Sequence, residues 1–266
     1  MMRLRRHSLA LVVGLLSVAV VSCGDDGSSD ANEGALAGNV VVSAASSLTD
    51  AFTELAETFE GMHEGVMIEL NFGSSSSLAS QIVEGAPAGV FASANQAQMQ
   101  VVADAGLAND PRVFAQNRIV VVTPADNETV QTFADIAADG VRLVLAGAEV
   151  PVGDYARQAI AAAEAAEPGF EEAALANLVS EEANVRAVLT KVELGEADAG
   201  VVYETDAAIS GDAVRVIPIP SEYVSPAVYP IATVGEDPSE VARAFVAYVL
   251  SPEGQVILAK YGFSAP

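Results

Sequence analysis

Two serine-rich segments carry hydroxyls in positions where they could meet a small ligand together with free backbone N–H groups. The first reads Ala44-Ala45-Ser46-Ser47-Leu48-Thr49-Asp50, and the second Phe72-Gly73-Ser74-Ser75-Ser76-Ser77-Leu78. Each follows a short strand-like run, Val40–Ser43 or Met67–Asn71, and precedes an amphipathic stretch, so each reads as a strand-to-helix turn. In the first turn Ser46, Ser47 and Thr49 compete for the N-cap, and in the second Gly73 permits a close backbone bend. The first N–H groups of a helix have no acceptor within it and sit at the positive end of its dipole, so such a turn can hold an anion. Either turn by itself is also what ordinary capping looks like, and a run of serines can be plain low complexity. Two of them in the same half of the chain point to a polar pocket.

The second half offers three further places. Glu149-Val150-Pro151-Val152-Gly153-Asp154-Tyr155 follows a strand candidate, and Pro151 suits a helix start, where its missing N–H costs nothing. In Glu181-Glu182-Ala183-Asn184-Val185-Arg186, Asn184 is a good N-cap and leaves the Val185 N–H exposed. Gly200-Val201-Val202-Tyr203-Glu204-Thr205-Asp206 ends a buried strand on a tyrosine. A buried tyrosine taken alone is usually a core residue with its hydroxyl tied to the protein. No histidine accompanies either serine turn and no G-x-S-x-G elbow occurs, which weighs against an exported serine hydrolase. His63, in a polar loop with no ligand cluster around it, weighs against a metal-cation binder.

These turns need elements to position them. Further strand candidates are Gly89–Ala92, Arg118–Thr123, Arg142–Ala146, Ala199–Tyr203, Val214–Ile217 and Ile231–Val234. Helix candidates are Leu48–Glu60, Ser76–Glu84, Asn95–Ala105, Phe133–Ala138, Gly153–Ala166, Phe170–Val179, Asn184–Leu194 and Ser239–Tyr261. Strands alternating with helices predict an α/β protein with mostly parallel sheets, and no internal repeat stands out. The order predicts one lobe from 39–118 plus 231–266 and another from 119–230. The chain would cross near Arg118–Thr123 and return near Tyr229–Val234, giving a two-strand hinge and a cleft as the default ligand site.

Residues 1–23 read as an export signal: Arg3, Arg5 and Arg6 precede the apolar run Leu9–Val21, which is too short for a comfortable membrane span. Val20-Val21-Ser22-Cys23 resembles a lipobox, and Cys23 is the only cysteine, so lipid attachment at Cys23 is expected and an internal disulfide is not possible. Residues 24–38 are small, polar and acidic, and read as a flexible tether. The chain has 12 basic and 36 acidic residues; without the three signal arginines the exported part carries 9 − 36 = −27. That balance argues against nucleic acid and anionic lipid as partners.

Taken in order, AASSLTDAF, FGSSSSLASQI, GAPAGVFASAN, VPVGDYARQA, NVRAVL, AGVVYETDA and KYGF resemble the molybdate-binding proteins of bacterial ABC transporters, from about Val40 to Phe263. The resemblance implies a type II periplasmic-binding-protein fold, no catalysis and no cofactor. It implies an extracytoplasmic monomer that delivers molybdate or tungstate to a permease and its ATPase. By matching motif it implies a neutral donor set: Ser47 and Ser75 through hydroxyl and N–H, Val152 and Val185 through N–H, and Tyr203 through its hydroxyl. Val152 stands where the family commonly has Ala, and Gly89 and Asn95 each stand where it usually has Asp. Neutral donors would accept a fully ionised tetrahedron and offer no acceptor for the proton of hydrogen phosphate. Sulfate, phosphate or another oxyanion is the nearest rival ligand, and a sensor without a transporter is a rival of another class.

Overall fold

The structure is a computed structural model and describes residues 36–266. The expected signal over 1–23, Cys23 and nearly all of the expected tether lie outside the described residues. Five strands make the first sheet: β1 (Ala37–Ala45), β2 (Gly65–Gly73), β3 (Val90–Ala92), β4 (Ala108–Asn117) and β10 (Ala227–Val234), in the order β2-β1-β3-β10-β4. Five more make the second: β5 (Ile119–Pro124), β6 (Leu143–Ala146), β7 (Leu178–Glu182), β8 (Ala199–Tyr203) and β9 (Val214–Pro218), in the order β7-β6-β8-β5-β9. The two orders are equivalent, although the sequence shows no repeat.

The expectation of mostly parallel sheets is corrected. In each sheet the first three strands pair in parallel and the last two antiparallel. The reason lies in the crossings. β5 and β10 are the first strands after the chain changes sheets, and both enter against the direction of the strands already there. The chain is back in the first sheet at Ala227, earlier than the expected Ile231. At the other end β1 begins at Ala37, so the last residues read as tether are paired backbone, Ala37 opposite Gly65 and Gly38 opposite Val66.

Helices cover both sheets. α1 (Thr49–Met62) buries Ala51, Phe52, Leu55, Ala56 and Phe59, a single stripe at helical spacing. Phe52 meets Phe114 of β4 edge-on at 5.7 Å and Phe245 of α8 (Glu240–Val249) at 6.2 Å, so the C-terminal segment is anchored on the first sheet. α2 (Ser75–Val83) and α3 (Gln96–Asp104) cover its other side through Leu78, Ile82, Phe91, Met99 and Val102. The second sheet carries α4 (Pro151–Glu164), α5 (Phe170–Ala176), α6 (Val185–Glu193) and α7 (Glu204–Ser210).

Three local expectations change. The helix expected over Phe170–Val179 stops at Ala176, and Leu178–Glu182 becomes strand β7, paired in parallel with β6. The single helix expected over Ser239–Tyr261 is two, α8 and α9 (Pro252–Lys260), because Pro252 holds Ser251 extended at ψ 162° and Ser251 caps the new helix at the Gly254 N–H. Phe133–Ala138 forms a short 3-10 turn over Phe133–Ala137. Strand β4 and helix α7 were not expected. The first half of β4, Ala-Asn-Asp-Pro-Arg, has little strand propensity and is held by an irregular ladder to β10.

Candidate functional site

Four turns and one strand end converge between the two sheets. After β1 the chain makes a 3-10 turn, Ser46–Leu48, before α1 begins. None of Ser46, Ser47 and Thr49 caps α1 through its side chain, contrary to the sequence expectation. Thr49 Oγ1 donates instead to the Ser46 carbonyl at 2.7 Å, and the buried Ser47 hydroxyl meets the Tyr229 hydroxyl at 3.0 Å. Ser47 is therefore free of capping duty.

The serine run after β2 divides its work. Ser74 is the N-cap and accepts from the Ser77 N–H at 3.2 Å. Ser75 opens α2, is buried, and its hydroxyl oxygen accepts from the Ala94 N–H at 2.9 Å. That bond occupies the oxygen and leaves the Ser75 proton available to donate. Ser76 and Ser77 turn away from the interior.

On the second sheet, α4 starts at Pro151 with no side-chain cap from Val150, and Val152 is buried in its first turn. Gly153 is a requirement of this turn. A Cβ there would lie 2.1 Å from the Gly147 carbonyl oxygen and 2.4 Å from that of Ala146. Asn184 caps α6 by accepting from the Ala187 N–H at 3.1 Å, which leaves the N–H of Val185, its first residue, without an intrahelical acceptor. β8 ends on Tyr203, whose hydroxyl is buried with no hydrogen-bond partner among the described residues. Burial pushes its pKa well above the ordinary tyrosine value, so the phenol stays protonated and able to donate.

Ser47, Ser75, Val152, Val185 and Tyr203 all line one cavity, together with Ser46, Ser74 and Ala94. No side chain among its lining residues is ionisable at neutral pH. The space for the centre of a water-sized sphere is about 10 Å³, an enclosed site scaled to a small ion rather than to an extended organic substrate. An unmatched buried hydroxyl beside uncapped helix N-termini is a set of donors without acceptors, and an anion is the ligand that completes it.

Sequence reasoning did not single out Tyr229, which is fully buried in β10 and edge-on to Tyr203 at 5.7 Å. Its bond to Ser47 spans 182 positions, so no local signal could have found it. It also missed the charged group behind the cavity, where Arg186 lies 2.6 Å from both Asp50 and the buried Asp206. The two departures Gly89 and Asn95 have local explanations. A Cβ at Gly89 would fall 2.5 Å from Val40 Cγ2, and its N–H donates to the Val41 carbonyl at 2.8 Å, so the strand packing here requires glycine. Asn95 caps α3 by accepting from the Gln98 N–H at 3.0 Å, a task Asp would perform equally.

Comparison with known proteins agrees with this geometry. The family described as bacterial extracellular solute-binding protein matches residues 40–264. The molybdate-binding protein ModA of Mycobacterium tuberculosis strain H37Rv is 38% identical over 97% of this chain and 98% of its own length. YvgL of Bacillus subtilis strain 168, named provisionally as an ABC transporter substrate-binding lipoprotein, is 30% identical over 98% of this chain and 99% of its own. Among solved structures, the periplasmic molybdate-binding protein of Azotobacter vinelandii superposes with a TM-score of 0.72 at 22% identity, over 85% of this chain and 99% of that one, a likeness of fold. With a family match over nearly all the described residues and relatives of this identity over nearly their full length, the chain belongs to the bacterial extracellular solute-binding proteins, which bind and deliver rather than catalyse.

Proposed function

We propose that this chain captures molybdate or tungstate outside the cytoplasm for an ABC importer, and that Ser47, Ser75, Val152, Val185 and Tyr203 hold the oxyanion. One observation carries the reading. Five neutral donors from separate turns line a single cavity that has no ionisable wall, and the Tyr203 hydroxyl in it is buried without a partner among the described residues. The relatives named molybdate-binding support the choice of ion.

A dianion taken out of water needs a donor at every oxygen, since unmatched buried charge is costly. Hydrogen bonds to a charged group contribute about 1.5–3 kcal/mol each. Roughly five to seven of them support binding near −8 kcal/mol after ordering costs. The absence of an acceptor in the cavity wall disfavours hydrogen phosphate, whose proton would be left unmatched. Discrimination against sulfate then rests on cavity size. The donors come from elements of both sheets, so the sheets act as two lobes that close over one ion, and the closed form is what a permease would recognise. Cys23 would carry a lipid anchor, a reading supported by its place in the lipobox-like segment and by the lipoprotein relative. Cell fractionation tests it: Cys23→Ala should move the protein from the membrane to the soluble fraction.

Isothermal titration of residues 36–266 is the test of the ligand. Molybdate or tungstate should release heat and raise the melting temperature, with sulfate doing little of either. No heat and no melting shift with either ion would overturn the assignment.

A further inference from the structure

Each cavity donor that begins or precedes a helix has a charged residue close behind it, and those charges meet. Asp50 stands three residues after Ser47, Asp206 three after Tyr203, and Arg186 directly after Val185. The Arg186 Nη2 donates to Asp50 Oδ2 at 2.6 Å, and its Nε lies 2.6 Å from Asp206 Oδ1. Asp206 is fully buried, whereas the Arg186 and Asp50 side chains are partly exposed at the edge of the cleft. None of the three lines the cavity. Asp50 rides on α1 of the first sheet, and Arg186 and Asp206 ride on α6 and α7 of the second. The Arg186–Asp50 pair therefore spans the cleft, while the Arg186–Asp206 pair stays within one side.

We propose that Arg186 is a positioning residue that latches the two sheets over the bound ion: Asp206 holds its guanidinium in place from within the second sheet, and Asp50 is the catch on the first. Only a guanidinium suits this task. Its Nε and Nη2 reach two carboxylates at once in a fixed fork, which an ammonium cannot do. The latch acts beside the Val185 N–H and the Ser47 turn, so the geometry that brings those donors to one ion also closes the charge pair. Its effect belongs to the rate of release, because the pair forms only when the sheets come together and must break before they part.

This inference rests on the oxyanion reading, and Asp50→Asn tests it without leaving the buried Asp206 unpaired. With molybdate as the probe in stopped-flow displacement, dissociation from Asp50→Asn should be about fivefold faster than from wild type, the scale of a partly screened charge pair. Association and the melting temperature of the unliganded protein should be unchanged, and Asp50→Glu should restore slow release. Equal dissociation rates for wild type and Asp50→Asn would overturn the latch while leaving the oxyanion reading intact. If wild type takes up no molybdate, that reading falls and the latch is judged on the unliganded protein. Spin-label distances between α3 and α5 should then lengthen in Asp50→Asn, and identical distributions would overturn it.

Discussion

At the scale of single residues, the cavity works because the direction of each hydroxyl is set by a neighbour. Ser75 has its oxygen occupied by the Ala94 N–H, and Ser47 has its oxygen against the Tyr229 hydroxyl. A hydroxyl that already accepts is left with a proton to donate, which suits an anion. Tyr203 needs no such help, since burial alone keeps its phenol protonated. Removing one donor leaves an acceptor on the ion unmet. Ser75→Ala and Tyr203→Phe should each weaken molybdate binding by about 1–3 kcal/mol, read by calorimetry. Unchanged affinity in both variants would mean that the ion sits elsewhere. Ser75→Ala also strands the Ala94 N–H, so of the two Tyr203→Phe is the cleaner measurement.

At the scale of elements, the recurring device is the strand-to-helix turn whose helix begins with N–H groups that point into the cavity. What varies is the cap. Ser74 and Asn184 satisfy one N–H of α2 and α6 by side chain, whereas α4 has no side-chain cap and starts on a proline. α4 is instead fixed by close packing, with Gly153 against the carbonyls of Ala146 and Gly147. Gly153→Ala should therefore push the first turn of α4 outward and displace the Val152 N–H. The expected result is a loss of both stability and molybdate affinity, where an exposed helical Gly→Ala would stabilise. A melting temperature and an affinity equal to wild type would show that this turn can relax at no cost to the site.

At the scale of the whole molecule, charge is the feature that most needs reconciling with an anion ligand. The exported part carries −27, yet the cavity contributes none of it; the charge belongs to the surface, where salt screens it. The one fully buried carboxylate is Asp206, lifted from the ordinary 3.8 to about 6 by burial, with the attraction of Arg186 offsetting part of the effect. Between those values the folded chain holds a proton that the unfolded chain has released. The resulting stabilisation is full below the unfolded value and is lost as pH rises through about 6. Asp206→Asn has no such titration. Urea unfolding of both proteins from about pH 4 to 7 should show wild-type stability falling relative to the variant as pH rises. A constant difference across that range would place the Asp206 pKa outside it.

Much of this was legible in the sequence, for a physical reason. The serine turns, Pro151, Asn184 and the β-branched runs act through their immediate neighbours, by capping, fixed φ and side-chain periodicity, so their meaning travels with the local sequence. The same holds for the failure at Ser251-Pro252, a local helix boundary that was written in the chain and overlooked. Other features have no local signature. β4 and β7 are strands because β10 and β6 offer them partners, and half of each sheet is antiparallel because the chain crosses between sheets twice. Tyr229 reaches Ser47 across 182 positions, and Arg186 reaches Asp50 across 136. The sequence by itself determined which turns could donate to an anion. Only the tertiary structure decided that they face one cavity, which hydroxyls keep a proton to give, and which charges stand behind them, because those depend on distances between residues far apart in the chain.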